Sequence, residues 1–294
     1  KPHVRRCETG DLEHLPGMRY LAAQQVIHPK SGVSIMILSA VFFCAGTTAV
    51  VYALLMITYF TAGWLFYSND PSRIDKIQRG RVLSDEKVRR DIQQSMRSLL
   101  SIAVMFSIGH TLYARFHFGL PAWHPSIWTI LLSFVISMLA YDTWFYWMHR
   151  LLHTKPFYRS IHRWHHLSLP SVAWSNNSDT LLDNLFLQSY WMAAHFILPI
   201  SPAVLLAHKL YDHVSGIIGH SGVEHGGGIC WPPSPMNSVT HHDQHHRFFH
   251  CNYSPHFTVW DRLMGTLHET HDAEVKQNLL RRRLPEANKL YEDA

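Results

Sequence analysis

Residues 127–153 read IWTILLSFVISMLAYDTWFYWMHRLLH. From Ile127 to Trp147 the only charge is Asp142, and the chain then turns polar at His149-Arg-Leu-Leu-His153. A helix needs about 20 apolar residues to cross a bilayer. The stretch therefore reads as a membrane span that delivers two histidines to its polar end. Four residues apart, they lie on one helix face, where two imidazoles can share one metal or serve one each of a pair; two plain interfacial histidines are the alternative. A carboxylate inside an apolar span is costly and usually functional. Asp142 precedes His149 by seven residues on the same face, and metal-bound imidazoles commonly donate their free N–H to a carboxylate. Asp142 is thus the expected catalytic-site acid and hydrogen-bond partner of His149.

Upstream, the apolar run Leu99–Leu112 and a linker, Arg115–Pro125, complete a membrane hairpin whose tip points away from the cytosol. Earlier still, residues 33–67 carry no charge at all. They form either one over-long helix or a hairpin bent near Gly46. Arg5, Arg6 and Lys30 precede this run, and Arg73, Lys76, Arg79, Arg81, Lys87, Arg89 and Arg90 follow it. Basic flanks mark cytosolic ends, which favours the hairpin and puts both flanks on one side. Downstream, Leu181–Ile200 and Pro202–Ile218 meet at a bend formed by Pro199 and Pro202. His195, His208 and Lys209 interrupt them, so they are expected to dip into the bilayer rather than span it.

The chain has 294 residues, 47% hydrophobic and 16% charged, with a net charge of +5 and 24 histidines. The positive charge flanks apolar runs instead of forming a basic face, and with the charge-free run this argues against nucleic acid as a partner. Cys7, Cys44, Cys230 and Cys251 have no CxxC spacing, so no disulfide framework or zinc finger is expected. No signal-peptide pattern is visible.

Two further clusters follow the first. His162-Arg-Trp-His165-His166 and His242-Asp-Gln-His245-His246 repeat one HxxHH spacing about eighty residues apart. Chance does not readily place the same spacing twice beside apolar segments. The three clusters supply eight imidazoles and no thiolate, a donor set suited to Zn, Cu, Fe or Ni. One zinc takes about four ligands, so eight donors argue for two metals. The HExxH zinc-protease motif is missing, and so are the ExxH motifs of ferritin-like di-iron proteins. A zinc store or transporter is the competing reading, but a transporter holds its ligands at the bilayer midplane between broken helices. Here the clusters fall at span ends.

At this point the sequence resembles the fatty acid hydroxylase and sterol desaturase superfamily. The HxxxH, HxxHH and HxxHH boxes match its signature. Residues 142–150 resemble its approach to the first box, His220-Ser-Gly its isolated histidine, and residues 241–246, 252–253 and 260–266 its C-terminal signature. The resemblance covers residues 99–266. It implies an all-α integral membrane protein of helical hairpins, with a cytosolic helical cap holding a dinuclear site. The domains are then an N-terminal cytosolic segment (1–32), a first hairpin with its basic loop (33–98) and a catalytic domain (99–294).

The implied ligands are His149, His153, His162, His165, His166, His220, His242, His245 and His246, with His213 as a further candidate or a polar wall. The implied cofactor is two irons, which zinc can replace during purification because imidazole sites bind it more tightly. The implied chemistry is O₂-dependent hydroxylation of a membrane lipid such as a sterol, fatty acyl chain or sphingoid base, with desaturation or ether cleavage as alternatives. Electrons are expected from a separate cytochrome b5-like or ferredoxin-like protein. The implied location is the endoplasmic reticulum in a eukaryote or the inner membrane in a bacterium. Many sterol-oxidising members carry His-Pro-x-Glu after the second box; residues 179–183 read DTLLD instead. Asp243 and Asp261 are weaker candidates for carboxylates that hold a ligand. His110, His124, His195, His208, His225, His250, His256, His268 and His271 have no ligand spacing and are expected at interfaces or on the surface.

Overall fold

The computed structural model describes residues 29–73, 75–224 and 236–292, with side chains from 32 to 282. Cys7, Cys230, His225 and most of the N-terminal segment lie outside the described residues. The chain divides into two compact units, residues 1–42 and 43–294. The described part of the first is the beginning of a long helix, α1 (Pro29–Phe66); the site lies in the second. After α1 come α2 (Asp85–Phe116), α3 (Ile127–Leu152) and α4 (Lys155–Ser160). Two 3₁₀ turns follow (His162–Leu167 and Ala173–Ser175). Then come α5 (Leu181–Leu187), α6 (Tyr190–Ile197), α7 (Pro202–Gly219), α8 (Val239–Phe248), α9 (Val259–Leu263) and α10 (His271–Glu292). No strand occurs among the described residues, only two isolated bridges.

Among the described residues, three helices are long and apolar enough to cross a membrane: residues 32–66, α2 and α3. The outer face of α3 shows why. Trp128 is 77% exposed and Leu131 52%, a row of apolar groups with no protein to cover it, as lipid-facing side chains require. The hairpin expected near Gly46 does not form, because α1 runs through that position without a break. A lone glycine costs a helix only about 1 kcal/mol, whereas a turn there would leave backbone polar groups unpaired in hydrocarbon. The apolar runs at 99–112 and 127–147 fall within α2 and α3, both long enough to span, and α5, α6 and α7 are short segments instead of full spans.

Close approach holds the helices together where lipid is as apolar as their own side chains. A Cβ on Gly63 would lie 2.2 Å from the Trp174 ring, and one on Gly109 would lie 2.8 Å from His195. The core between them joins Leu55 and Tyr59 of α1 to Leu99, Ile102 and Phe106 of α2, together with Trp191 and Leu205.

Helix α2 begins fourteen residues before its apolar run. Ser84 caps it by accepting the Lys87 N–H, and Asp85 and Glu86 occupy the first turn, where negative charge favours a helix N-terminus. Its polar half grips the histidine-bearing segment. Asp91 accepts hydrogen bonds from Ser168 and Ser178, Gln94 donates to the Asp179 carbonyl at 2.6 Å, and Asn184 donates to Ser98 at 2.9 Å. The second histidine box is therefore fixed by a helix that begins some seventy residues upstream of it.

Candidate metal centre

All nine histidines singled out from the sequence converge. They form two groups, His149, His153, His162, His166 and His245, and His165, His220, His242 and His246; within each group the donor atoms lie within 4.8 Å of one another. The grouping crosses the motifs. From the third box, His242 and His246 go to one group and His245 to the other, as α-helix geometry dictates. At about 100° per residue, the i,i+4 pair points one way and the residue between them is turned by roughly 60–100°. The second box divides in the reciprocal sense, with His162 and His166 in one group and His165 in the other.

Outer contacts fix the imidazole tautomers. His149 Nδ1 donates to the Tyr253 carbonyl at 2.8 Å, His245 Nδ1 to the Cys251 carbonyl at 2.7 Å and His220 Nδ1 to the Gly216 carbonyl at 2.8 Å. His162 Nδ1 donates to Asp183 at 2.9 Å, and His165 Nδ1 lies 3.0 Å from Asp179. For His149, His245, His220 and His162 the partner is a carbonyl or carboxylate oxygen, so Nδ1 carries the proton, and a neutral ring then presents a bare Nε2 lone pair. Yet Nε2 of His149 faces Nε2 of His162 at 3.1 Å. Two facing lone pairs repel unless a cation lies between them. With metal–nitrogen bonds of about 2.0–2.1 Å, neighbouring ligands on one ion sit roughly 2.8–3.4 Å apart. The other contacts, His242–His220 and His242–His246 at 2.9 Å and His166–His153 and His166–His245 at 3.2 Å, fall in that range. The donor set fits two imidazole-held ions.

Burial keeps these rings neutral, the form that binds metal. Burial and the neighbouring His165 push both His162 and His220 down to about 3. His153, His166, His242, His245 and His246 are also held well below the ordinary histidine range, first by burial and then by the histidines around them. His165 is the exception: burial would depress it, but Asp179 more than offsets this and raises it.

Asp142 does not touch His149. Its Oδ1 accepts the backbone N–H groups of His256 at 2.9 Å and Phe257 at 3.0 Å. Seven residues at about 1.5 Å each put the two α-carbons roughly 10 Å apart along the helix. They share a face, but a carboxylate cannot reach that far. Asp183 and Asp179 hold the ligand rings instead. A capping pattern was their one sequence signal: Asp183 also accepts the N–H and hydroxyl of Thr180 at the start of α5. Asp261 acts indirectly. It accepts the N–H groups of Tyr253 and Ser254, and so fixes the carbonyl that receives His149. Burial opposes its charge, but His241 and these backbone donors hold it down at about 2. Asp243 pairs with Gln78 at 2.7 Å and Arg247 at 2.9 Å, away from any ligand ring.

His213 belongs to neither group; its Nε2 donates to the Leu55 carbonyl at 3.2 Å. His195, His208, His256 and His271 are buried, not on the surface as their lack of ligand spacing suggested. Of the four consecutive aromatic residues 144–147, Phe145 faces the cavity beside the histidines, whereas Trp147 is exposed. Besides Phe145, that cavity is bordered by His149, His162, His165, His220 and His242.

Residues 134–266 match the family described as fatty acid hydroxylase. The chain is 28% identical over 195 residues to lathosterol oxidase of Homo sapiens, a span covering 65% of this chain and 64% of that protein. It is 28% identical over 202 residues to cholesterol 25-hydroxylase of Rattus norvegicus, covering 63% and 66% respectively. It is 26% identical over 206 residues to sphinganine C4-monooxygenase 2 of Arabidopsis thaliana, covering 66% and 75%. The chain thus spans just under two thirds of the length of the first two. No solved structure matches it significantly. The histidine boxes, the all-helical architecture and the match agree: over residues 134–266 the chain is similar to the fatty acid hydroxylase superfamily.

Proposed function

We propose that this protein is a membrane di-iron monooxygenase that hydroxylates a C–H bond of a lipid. The observation that carries this reading is the pair of converging Nε2 sets, five and four imidazoles at the end of a membrane span. An all-nitrogen donor set suits a redox-active first-row metal as well as zinc. Relatives named for sterol and sphinganine oxidation support a lipid substrate. The balance is one lipid C–H, O₂, two electrons and two protons in, and one C–OH and one water out. A separate donor protein supplies the electrons.

When bound, the metals supply the redox chemistry that activates O₂. The chain supplies the rest. His149, His153, His162, His166 and His245 would hold one ion, and His165, His220, His242 and His246 the other. Asp183, Asp179 and the Tyr253, Cys251 and Gly216 carbonyls fix the rings so that no reorganisation is needed on binding. Phe145 and Tyr253 border the cavity beside the rings and limit water there. The basic segment 73–90 supports a site on the cytosolic face.

Elemental analysis of protein loaded with Fe²⁺ under reducing conditions tests the site, with two metals per chain expected. At most one per chain would refute the dinuclear reading. Zinc in material purified without added iron would not, because imidazole sites prefer Zn²⁺ to Fe²⁺.

A further inference from the structure

The cavity has a second end. Tyr141, Phe145 and His149 are successive i,i+4 positions of α3, with ring centroids 5.6 and 5.2 Å apart. On α7, Asp212 lies eight residues before His220. Both helices therefore run from the histidines to Tyr141 and Asp212, about 12 Å away at 1.5 Å per residue. There the Tyr141 hydroxyl meets Asp212 Oδ2 at 3.4 Å. All five of these residues border the one cavity, together with Lys209 and His256.

The far end is polar in a place where polarity is expensive. Lys209 is 1% exposed. Its ammonium donates to Asp212 Oδ2 at 2.8 Å and to Gln188 Oε1 at 3.0 Å, and sits over the Trp191 ring. Burying a lysine and an aspartate costs more than a well-packed apolar pair of the same size. Ionisable groups packed inside a membrane bundle usually mark a functional site. The pairing is also incomplete. Both ring nitrogens of His256 are buried without a hydrogen-bond partner, and its Nε2 stands 3.6 Å from Asp212 Oδ1, beyond bonding distance. Asp142 clamps the backbone that presents this ring.

We propose that Asp212 and His256, supported by Lys209, bind a neutral hydroxyl group of the lipid substrate. A hydroxyl offers one donor and two acceptor lone pairs. It can donate to Asp212 Oδ1 and accept from a His256 N–H, satisfying both at once. The Lys209–Asp212 pair is formally neutral, so the site favours an alcohol over a carboxylate or phosphate, which would bring an uncompensated charge. The inference rests on the lipid-oxidation reading for what lies at the other end, the histidine groups two helical turns, about 12 Å, along α3 and α7.

Equilibrium binding to the full chain in nanodiscs tests this, with two pairs of radiolabelled probes: cholesterol and its 3-methyl ether, and 1-hexadecanol and hexadecyl methyl ether. At least one alcohol should bind about tenfold or more tightly than its own ether, and palmitate should bind no better than the ether. His256→Phe, and separately the paired change Lys209→Met with Asp212→Leu, should bring that ratio to near one while metal per chain stays unchanged. Equal binding of each alcohol and its ether in the parent overturns the proposal; so does a preference for palmitate, or an alcohol preference that survives both variants. If the paired variant loses its metal, the parent ratio and His256→Phe decide. A parent that binds no metal but retains the alcohol preference would sink the catalytic reading and leave this site standing.

Discussion

Asp183 accepts the Nδ1–H of His162 at 2.9 Å through one oxygen, and through the other it accepts the Thr180 N–H at the start of α5 at 3.0 Å. One carboxylate thus orients a ligand ring and starts the helix beside it. Losing such an outer partner typically costs about 10–100-fold in metal affinity or activity. Asp183→Asn keeps one acceptor oxygen for two tasks, so metal affinity should fall on that scale. Asp183→Ala should also lose the cap, worth about 1 kcal/mol. Metal titration and thermal unfolding separate the two effects; unchanged affinity in Asp183→Asn would remove the orienting role.

Asp142 should behave differently. It holds backbone N–H groups, not a ring, so Asp142→Asn retains the acceptor and should retain its full metal content. Asp142→Ala strands two buried donors at about 1–3 kcal/mol each and should lower the unfolding midpoint. A loss of metal in Asp142→Asn would restore the direct link to His149.

The contrast between these acids shows what was legible in the sequence. Eight of the nine histidines are visible because each box is local, a matter of spacing on one or two turns; His220 was reached only through the resemblance. The long helices α2 and α3 are visible because span length is a local property too. The partners of the rings are not. Asp183 reaches His162 only because the chain folds back between them through two 3₁₀ turns, and the Tyr253 carbonyl reaches His149 from 104 residues away. Asp142 was misread because a shared helix face fixes direction but not reach. The break at Gly46 was inferred from charge, which reports sidedness and not helix continuity.

The metal-free protein should lose stability in mild acid. His162 and His220 ionise near 3 in the fold, against about 6.5 when free. Between those values the unfolded chain binds protons that the folded chain refuses, so stability rises with pH. Denaturant unfolding of metal-free protein should show full stability above about pH 6.5 and a progressive fall toward pH 3. A flat profile over that window would mean the rings are solvated, contrary to their burial.

Single-ligand variants should empty the two sites separately. His245→Ala removes a donor from the group of five, and His242→Ala removes one from the group of four. His242→Ala should bring the content to about one metal per chain. His245→Ala leaves four donors, and should weaken the metal more than abolish its binding. Equal loss of both ions in both variants would indicate one shared site.

Arg89 and His250 are both exposed, and the proposed cytosolic site requires them on one face of the membrane. Cysteines at these positions should react with an impermeant maleimide from the same side. Labelling from opposite sides would refute the cytosolic placement of the histidine boxes.

The central claim is O₂-dependent oxidation of a membrane lipid at the paired histidine groups. Its most direct test is lipid mass spectrometry of cells grown under ¹⁸O₂, comparing the parent protein with a His165→Ala, His245→Ala double variant. The account predicts a lipid that gains one ¹⁸O as a hydroxyl only with the parent. Loss of two hydrogens without oxygen would move the reaction to desaturation. Lipid extracts that do not differ between parent and double variant would contradict the account.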